Sequence, residues 1–126
     1  MTLTELGNPT YIALETFRKK GTGVITPVWA VAEAGKLYVW TERESGKVKR
    51  ISHTPQVRVC QSDARGTPQS DWAEAQARIL ADPAEQEQQR RRLAAKYGWL
   101  FRLIMLFGKL VGRGPYTVIE ISARDR

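Results

Sequence analysis

The stretch Lys36-Leu37-Tyr38-Val39-Trp40-Thr41, followed by Glu44-Ser45-Gly46-Lys47-Val48-Lys49-Arg50-Ile51, decides how this chain is read. The first part is rich in β-branched and aromatic residues and reads as a strand. The second part reads as a short helix that Thr54-Pro55 closes. Lys47, Lys49 and Arg50 fall at its start, where unpaired backbone N–H groups and the positive end of the helix dipole already concentrate positive potential. Cations there cost about 0.3–1 kcal/mol each at exposed sites. A bound anion, above all a phosphate, would turn that cost into a gain. A solvated basic turn is the competing reading.

Strands flank this unit on both sides. Residues 10–17 are rich in β-formers, and Arg18 to Gly23 form a turn. Residues 24–31 form a second strand, in which Pro27 cannot donate to a ladder and so marks an edge or a bulge. The third strand, 37–41, leads into the basic helix. Residues 56–62 then alternate Val57 and Val59 against Arg58 and Cys60. Residues 63–68 are a loop. Residues 71–81 place Ala73, Ala75, Ala77 and Ile79 on one side of a period-two pattern, yet their composition favours a helix. The residues alone leave both open.

Asp82-Pro83 supplies an N-cap and a first-turn proline for a helix running to about Lys96. On it, Arg90, Arg91, Arg92 and Lys96 read as a solvated face. A second helix spans 99–111, with Leu100, Leu103, Ile104, Phe107 and Val111 as an apolar stripe expected to pack into the core. Gly112-Arg113-Gly114-Pro115 ends it, and residues 116–121 are a last strand. Short turns between most strands imply a largely antiparallel sheet. Six short strands suggest a small barrel, mainly β with helical insertions.

The 126 residues suit one domain, 1–126, large enough to bury a core. The net charge of +7 is divided evenly between the two halves, which favours a basic folded surface over a basic tail. Cys60 is the sole cysteine and His53 the sole histidine, so neither a disulfide nor a Cys/His metal centre is expected. Cys60 reads as a buried structural thiol. Met1 to Glu5 is polar and acidic rather than signal-like. The longest apolar run is interrupted by Arg102 and Lys109 and is too short to cross a bilayer. A cytoplasmic protein with no membrane span is the expectation.

The segments Val24-Ile25-Thr26-Pro27-Val28-Trp29, Gly35-Lys36-Leu37-Tyr38-Val39-Trp40-Thr41, Ser45-Gly46-Lys47-Val48-Lys49-Arg50-Ile51 and Thr54-Pro55-Gln56-Val57-Arg58-Val59 resemble the pyridoxamine-phosphate-oxidase-like proteins. Within them they are most similar to the deazaflavin-dependent oxidoreductases that use coenzyme F420, found largely in actinobacteria. The resemblance covers nearly the whole chain and implies a six-stranded split β-barrel of the FMN-binding type. It makes residues 71–81 a strand, and it implies a homodimer with the cofactor in a groove between subunits. By position, Lys47, Lys49 and Arg50 correspond to the segment that grips the cofactor phosphate. Thr26, Pro27 and Val28 correspond to the strand along the ring system, and Thr41 to the strand end entering the phosphate site. Ser52 and His53 stand where some relatives carry arginines.

The function so implied is hydride transfer between F420 and a small organic acceptor, with FMN as the alternative cofactor. The cofactor would carry the chemistry, and no catalytic residue stands out. Trp29, Trp40, Trp72 and Trp99 are candidate substrate contacts, packing being the commoner role for each. A non-catalytic carrier of the cofactor or of a tetrapyrrole is a further reading. So is a nucleic-acid-binding barrel, which the clustering of cations at one helix start disfavours.

Overall fold

Six antiparallel strands close into a barrel in the order β1-β2-β3-β6-β5-β4. The computed structural model describes residues 2–112 and 114–124. The elements are β1 (Tyr11–Phe17), β2 (Gly23–Glu33), β3 (Lys36–Glu42), α1 (Gly46–His53), β4 (Gln56–Ser62), β5 (Ala73–Ile79), α2 (Pro83–Tyr97), α3 (Trp99–Leu110) and β6 (Tyr116–Ala123). The break after α3 was expected at residues 112–115, of which Arg113 lies outside the described residues.

Strand alternation builds the interior. Ile12 and Leu14 of β1, Leu37 and Val39 of β3, and Ile119 and Ile121 of β6 all point inward and are essentially inaccessible. β5 joins them through Ala75 and Ala77, between β4 on one side and β6 on the other. Two free sheet edges outweigh the helix propensity of that segment, as packing commonly does. Cys60 is a buried free thiol, as expected.

A second apolar layer forms outside the barrel. Val31, Tyr38 and Val118 on the outer faces of β2, β3 and β6 pack with Leu93 and Tyr97 of α2 and Phe101 of α3. Along the same face Arg78, Glu120 and Tyr38 stand opposite one another across three strands. Arg78 donates twice to the Glu120 carboxylate, at 2.8 and 3.1 Å, and the Tyr38 hydroxyl donates to it at 3.3 Å.

Two expectations about the helices are overturned. Lys96 is not on a solvated face. Its Nζ donates to the carbonyls of Gly7, Pro9 and Ala30 at 2.6–2.7 Å, tying α2 to β2 and to the 3-10 turn Glu5–Gly7. Gly7 lets the turn lie close against β2, because a Cβ there would clash with that of Ala32. The three arginines do stay on the solvated side, where Arg90 and Arg91 pair with Glu87 and Arg92 with Glu33.

Nor does the stripe of α3 pack into the core. Leu103, Ile104, Phe107 and Val111 are exposed, whereas Phe101 and Gly108, outside that stripe, are buried. α3 is apolar nearly all round, so hydrophobicity could not say which side would face the barrel. The aromatic outer face of β2 and β3 selects Phe101.

The Tyr97 hydroxyl accepts the Ala30 N–H at 3.0 Å and donates to the Thr10 carbonyl at 2.8 Å. Tyr97→Phe removes the partner of the buried Ala30 N–H and of the part-buried Thr10 carbonyl. It should lower the unfolding free energy by about 1–3 kcal/mol, read from the urea midpoint.

Candidate functional site

The barrel splits at β2. This strand pairs with β1 from Gly23 to Val28, but with β3 only from Trp29 to Glu33. Past the Trp29–Trp40 pair the two strands part, and β3 continues against β6 through Thr41 and Glu42. Residues 23–28 therefore have no strand partner on one edge among the described residues. The β1–β2 register runs through Pro27 unbroken, so the proline marks an edge and not a bulge.

A cavity of about 420 Å³ fills the split. Pro27, Val28 and Trp29 form one wall. Trp40 and Thr41 of β3, with Tyr116 of β6, form a second, and Ile104 and Met105 of α3 cover one side. Ser45 and Lys47 at the start of α1 stand at the polar end, beside Glu42. Tyr11 completes the lining. A volume of this order, apolar with polar groups gathered at one end, is typical of a small-molecule site.

The polar end is built for an anion. Ser45 is the N-cap of α1 but makes no side-chain capping bond, and no acid occupies the first turn. The first-turn N–H groups of α1 thus have no side-chain acceptor from the cap. The Ser45 hydroxyl lies 3.4 Å from that of Thr41. Lys47 is half-buried, and its pKa is lowered, chiefly by burial and then by the charge of Arg50. A half-buried ammonium beside unpaired N–H groups can bind a dianion strongly, because both donors are already fixed in place.

The expected site residues divide between two places. Lys47, Thr41, Pro27 and Val28 meet in this cavity. Lys49 and Arg50 line a smaller cleft, about 190 Å³, with Arg18, Lys19 and His53. Arg50 Nε donates to Thr16 Oγ1 at 2.6 Å there. Consecutive residues on a helix point about 100° apart, which is why one basic segment serves two clefts. Thr26 lies on the open edge of β2 but does not line the cavity, and its buried hydroxyl has no partner among the described residues.

Of the tryptophans, Trp29 and Trp40 line the cavity and are also packed from behind. Trp29 stacks on Tyr97 with centroids 4.2 Å apart, and Trp40 stacks on Tyr116 at 5.3 Å. Trp72 lies under the Arg58 guanidinium and Trp99 is exposed, both away from the cavity. Tyr11, Glu42, Ser45, Ile104, Met105 and Tyr116 had not been singled out. Ser45 carried a signal, being a capping residue type just ahead of the basic helix. The α3 and Tyr116 contributions depend on where a distant helix docks.

Comparison with known proteins agrees with this architecture. The family model for pyridoxamine 5'-phosphate oxidase matches residues 3–125. The haem storage protein of Vibrio cholerae superposes with a TM-score of 0.70 at 13% identity, over 100% of this chain and 93% of that one. A FAD-binding protein from Mesorhizobium loti gives 0.62 at 15%, over 95% and 83%. An F420 reductase gives 0.60 at 18%, over 95% and 90%. At these identities the similarity speaks for the fold. No curated protein matches the chain by sequence.

Proposed function

Because this chain belongs to the pyridoxamine 5'-phosphate oxidase family, we propose that it is an oxidoreductase that binds coenzyme F420 and exchanges a hydride with a small organic acceptor. The observation that carries the reading is the union, in one cavity, of an aromatic slot, an open strand edge and a cationic helix start. The residues fit such a cofactor. Lys47, Ser45 and the first-turn amides of α1 would hold its phosphate. Backbone groups of Pro27 and Val28 would face the ring edge, and Trp29 and Trp40 would exclude water from the ring. The bound deazaflavin supplies the hydride chemistry. The basic cleft of Lys49 and Arg50 would meet the acidic tail, and two chains would pair as a homodimer around the cofactor, a state that light scattering reads directly. The subgroup resemblance of the basic segment favours F420 over FMN.

Side-by-side titration of F420, FMN and haemin tests this. Micromolar binding of F420, seen as a fluorescence change, with weaker FMN and haemin binding, is expected. FMN or haemin binding without F420 binding would replace the reading with a flavin enzyme or a haem carrier.

The titration also has a pH signature. A phosphate binds the charged form of Lys47, and burial makes that charge easier to lose. Affinity should therefore hold through neutral pH and fall as pH rises through a value below the ordinary lysine pKa of about 10.4. In Lys47→Arg the guanidinium stays charged, and the alkaline fall attributable to this side chain should disappear.

A further inference from the structure

The outward side of α3 is the most unusual surface of the molecule. Trp99, Leu103, Leu106 and Leu110 follow helical spacing along it, with Phe107 beside them. Trp99 is 74% exposed and Leu110 77%. A surface helix ordinarily turns its apolar side inward. Here Phe101 and Gly108 face the barrel, and a second apolar side is left facing outward.

Charge distinguishes the possible occupants. From Gln88 to Ile119 the chain carries seven Lys and Arg and no Asp or Glu. Arg102 and Lys109, seven residues apart, flank the apolar side and are exposed. Arg90, Arg91 and Arg102 rim a shallow groove between α2 and α3, next to Phe101 and Met105. No carboxylate lines this groove among the described residues, and the nearby Glu87 is held by Arg90 and Arg91. A second copy meeting α3 face to face would bring cations to cations, with no acid on either helix to pair them. A surface of anionic phosphates over an apolar layer matches both halves of the pattern.

We propose that α3 is a peripheral membrane-docking helix that seats Trp99, Leu103, Leu106 and Leu110 among the acyl chains of an anionic bilayer. Arg90, Arg91, Arg102 and Lys109 then meet lipid phosphates. Twelve residues extend about 18 Å, so α3 lies at the interface instead of spanning it. Among the described residues no helix is long and apolar enough to span. Apolar area and basic residues add in such binding, the cations strengthening it near an anionic surface. Ile104 and Met105 of the same helix line the cavity, so docking places the cavity wall against the lipid.

Sedimentation of the purified full chain with vesicles tests this. One set is phosphatidylcholine alone and the other phosphatidylcholine mixed with phosphatidylglycerol. The chain should pellet with the anionic vesicles, should do so much less with the neutral ones, and should be released by raised salt. Leu106→Glu combined with Leu110→Glu should weaken the pelleting by at least roughly tenfold. Neither residue lines the cavity, so cofactor titration and the thermal midpoint should be unchanged in this variant. The test therefore stands apart from the cofactor assignment. Absence of pelleting, or equal pelleting on neutral vesicles, overturns the proposal. So does a variant that loses a dimer present in the parent, which would identify a second copy as the occupant.

Discussion

Replacing Lys47 with glutamate should raise the Kd for a phosphate-bearing cofactor by at least about 100-fold, because a charge-assisted hydrogen bond worth about 1.5–3 kcal/mol is lost and a repulsive charge takes its place. The fold should tolerate the change. Among the described residues Lys47 makes no side-chain hydrogen bond or ion pair, and burial and the positive charge of Arg50 disfavour its own charge more than Glu42 supports it. An acid in the first turn of α1 also suits the helix dipole. Thermal stability should therefore hold or rise slightly while binding collapses. Isothermal titration beside a melting curve separates the two effects. Lys49→Glu is the informative companion, since Lys49 is exposed and faces the smaller cleft. Solvent and salt screen it from the cavity, so it should cost no more than about threefold for a ligand ending at the phosphate. Equal losses in the two variants would place the phosphate between the clefts and overturn the assignment of the polar end to Lys47.

The contrast between these lysines shows where sequence reading ends. The strands were legible because the alternation in Val57-Arg58-Val59 and the β-forming residue types in Leu37-Tyr38-Val39 are local properties, and both segments are strands. The short helix between β3 and Thr54-Pro55 was legible, although its N-cap Ser45 was not singled out. What a helix face meets is not local. Lys47 and Lys49 differ by two positions yet line different clefts, since their directions are set by how α1 crosses β1 and β5. β5 was undecidable from its own residues because alternating alanines satisfy both a strand interior and helix propensity. Its neighbours β4 and β6 settle it. Likewise α3 was read as amphipathic about its two cations, but Gly98, at φ 58°, redirects the chain after α2 so that Phe101 meets Trp29 and Trp40. That geometry leaves the expected core stripe outside.

Lys96→Met should destabilise the fold by about 3 kcal/mol or more. Lysine is usually the most dispensable of residues on a helix, and its place next to Arg90-Arg91-Arg92 suggested as much. Here the ammonium is the common donor for three carbonyls drawn from three parts of the chain: Gly7 at the end of the N-terminal turn, Pro9 before β1, and Ala30 in β2. Three acceptors engage all three N–H bonds of the charged form. Burial lowers the pKa to about 8, so the charged form still predominates at pH 7. Methionine matches the length and apolar packing of the stem but donates nothing. Each stranded carbonyl then costs about 1–3 kcal/mol, reduced where water reaches it. Ala30 retains its long contact with the Tyr97 hydroxyl, 3.3 Å, and so loses least. Against a typical domain stability of about 5–15 kcal/mol, the loss is severe. Equilibrium urea unfolding reads it, and Arg91→Met on the same helix is the control. Arg91 is exposed, and its one polar partner among the described residues is Glu87 at 3.4 Å, so its removal should shift stability by no more than about 0.5 kcal/mol. Hydrogen exchange should show the damage first in the amides of residues 5–10, whose attachment to α2 depends on this one side chain and on Tyr97. A Lys96→Met protein as stable as its Arg91→Met counterpart would mean that water replaces the ammonium at no cost, and that the packing of Leu3 and Leu6 with the Tyr97 bond suffices to hold the N-terminal turn.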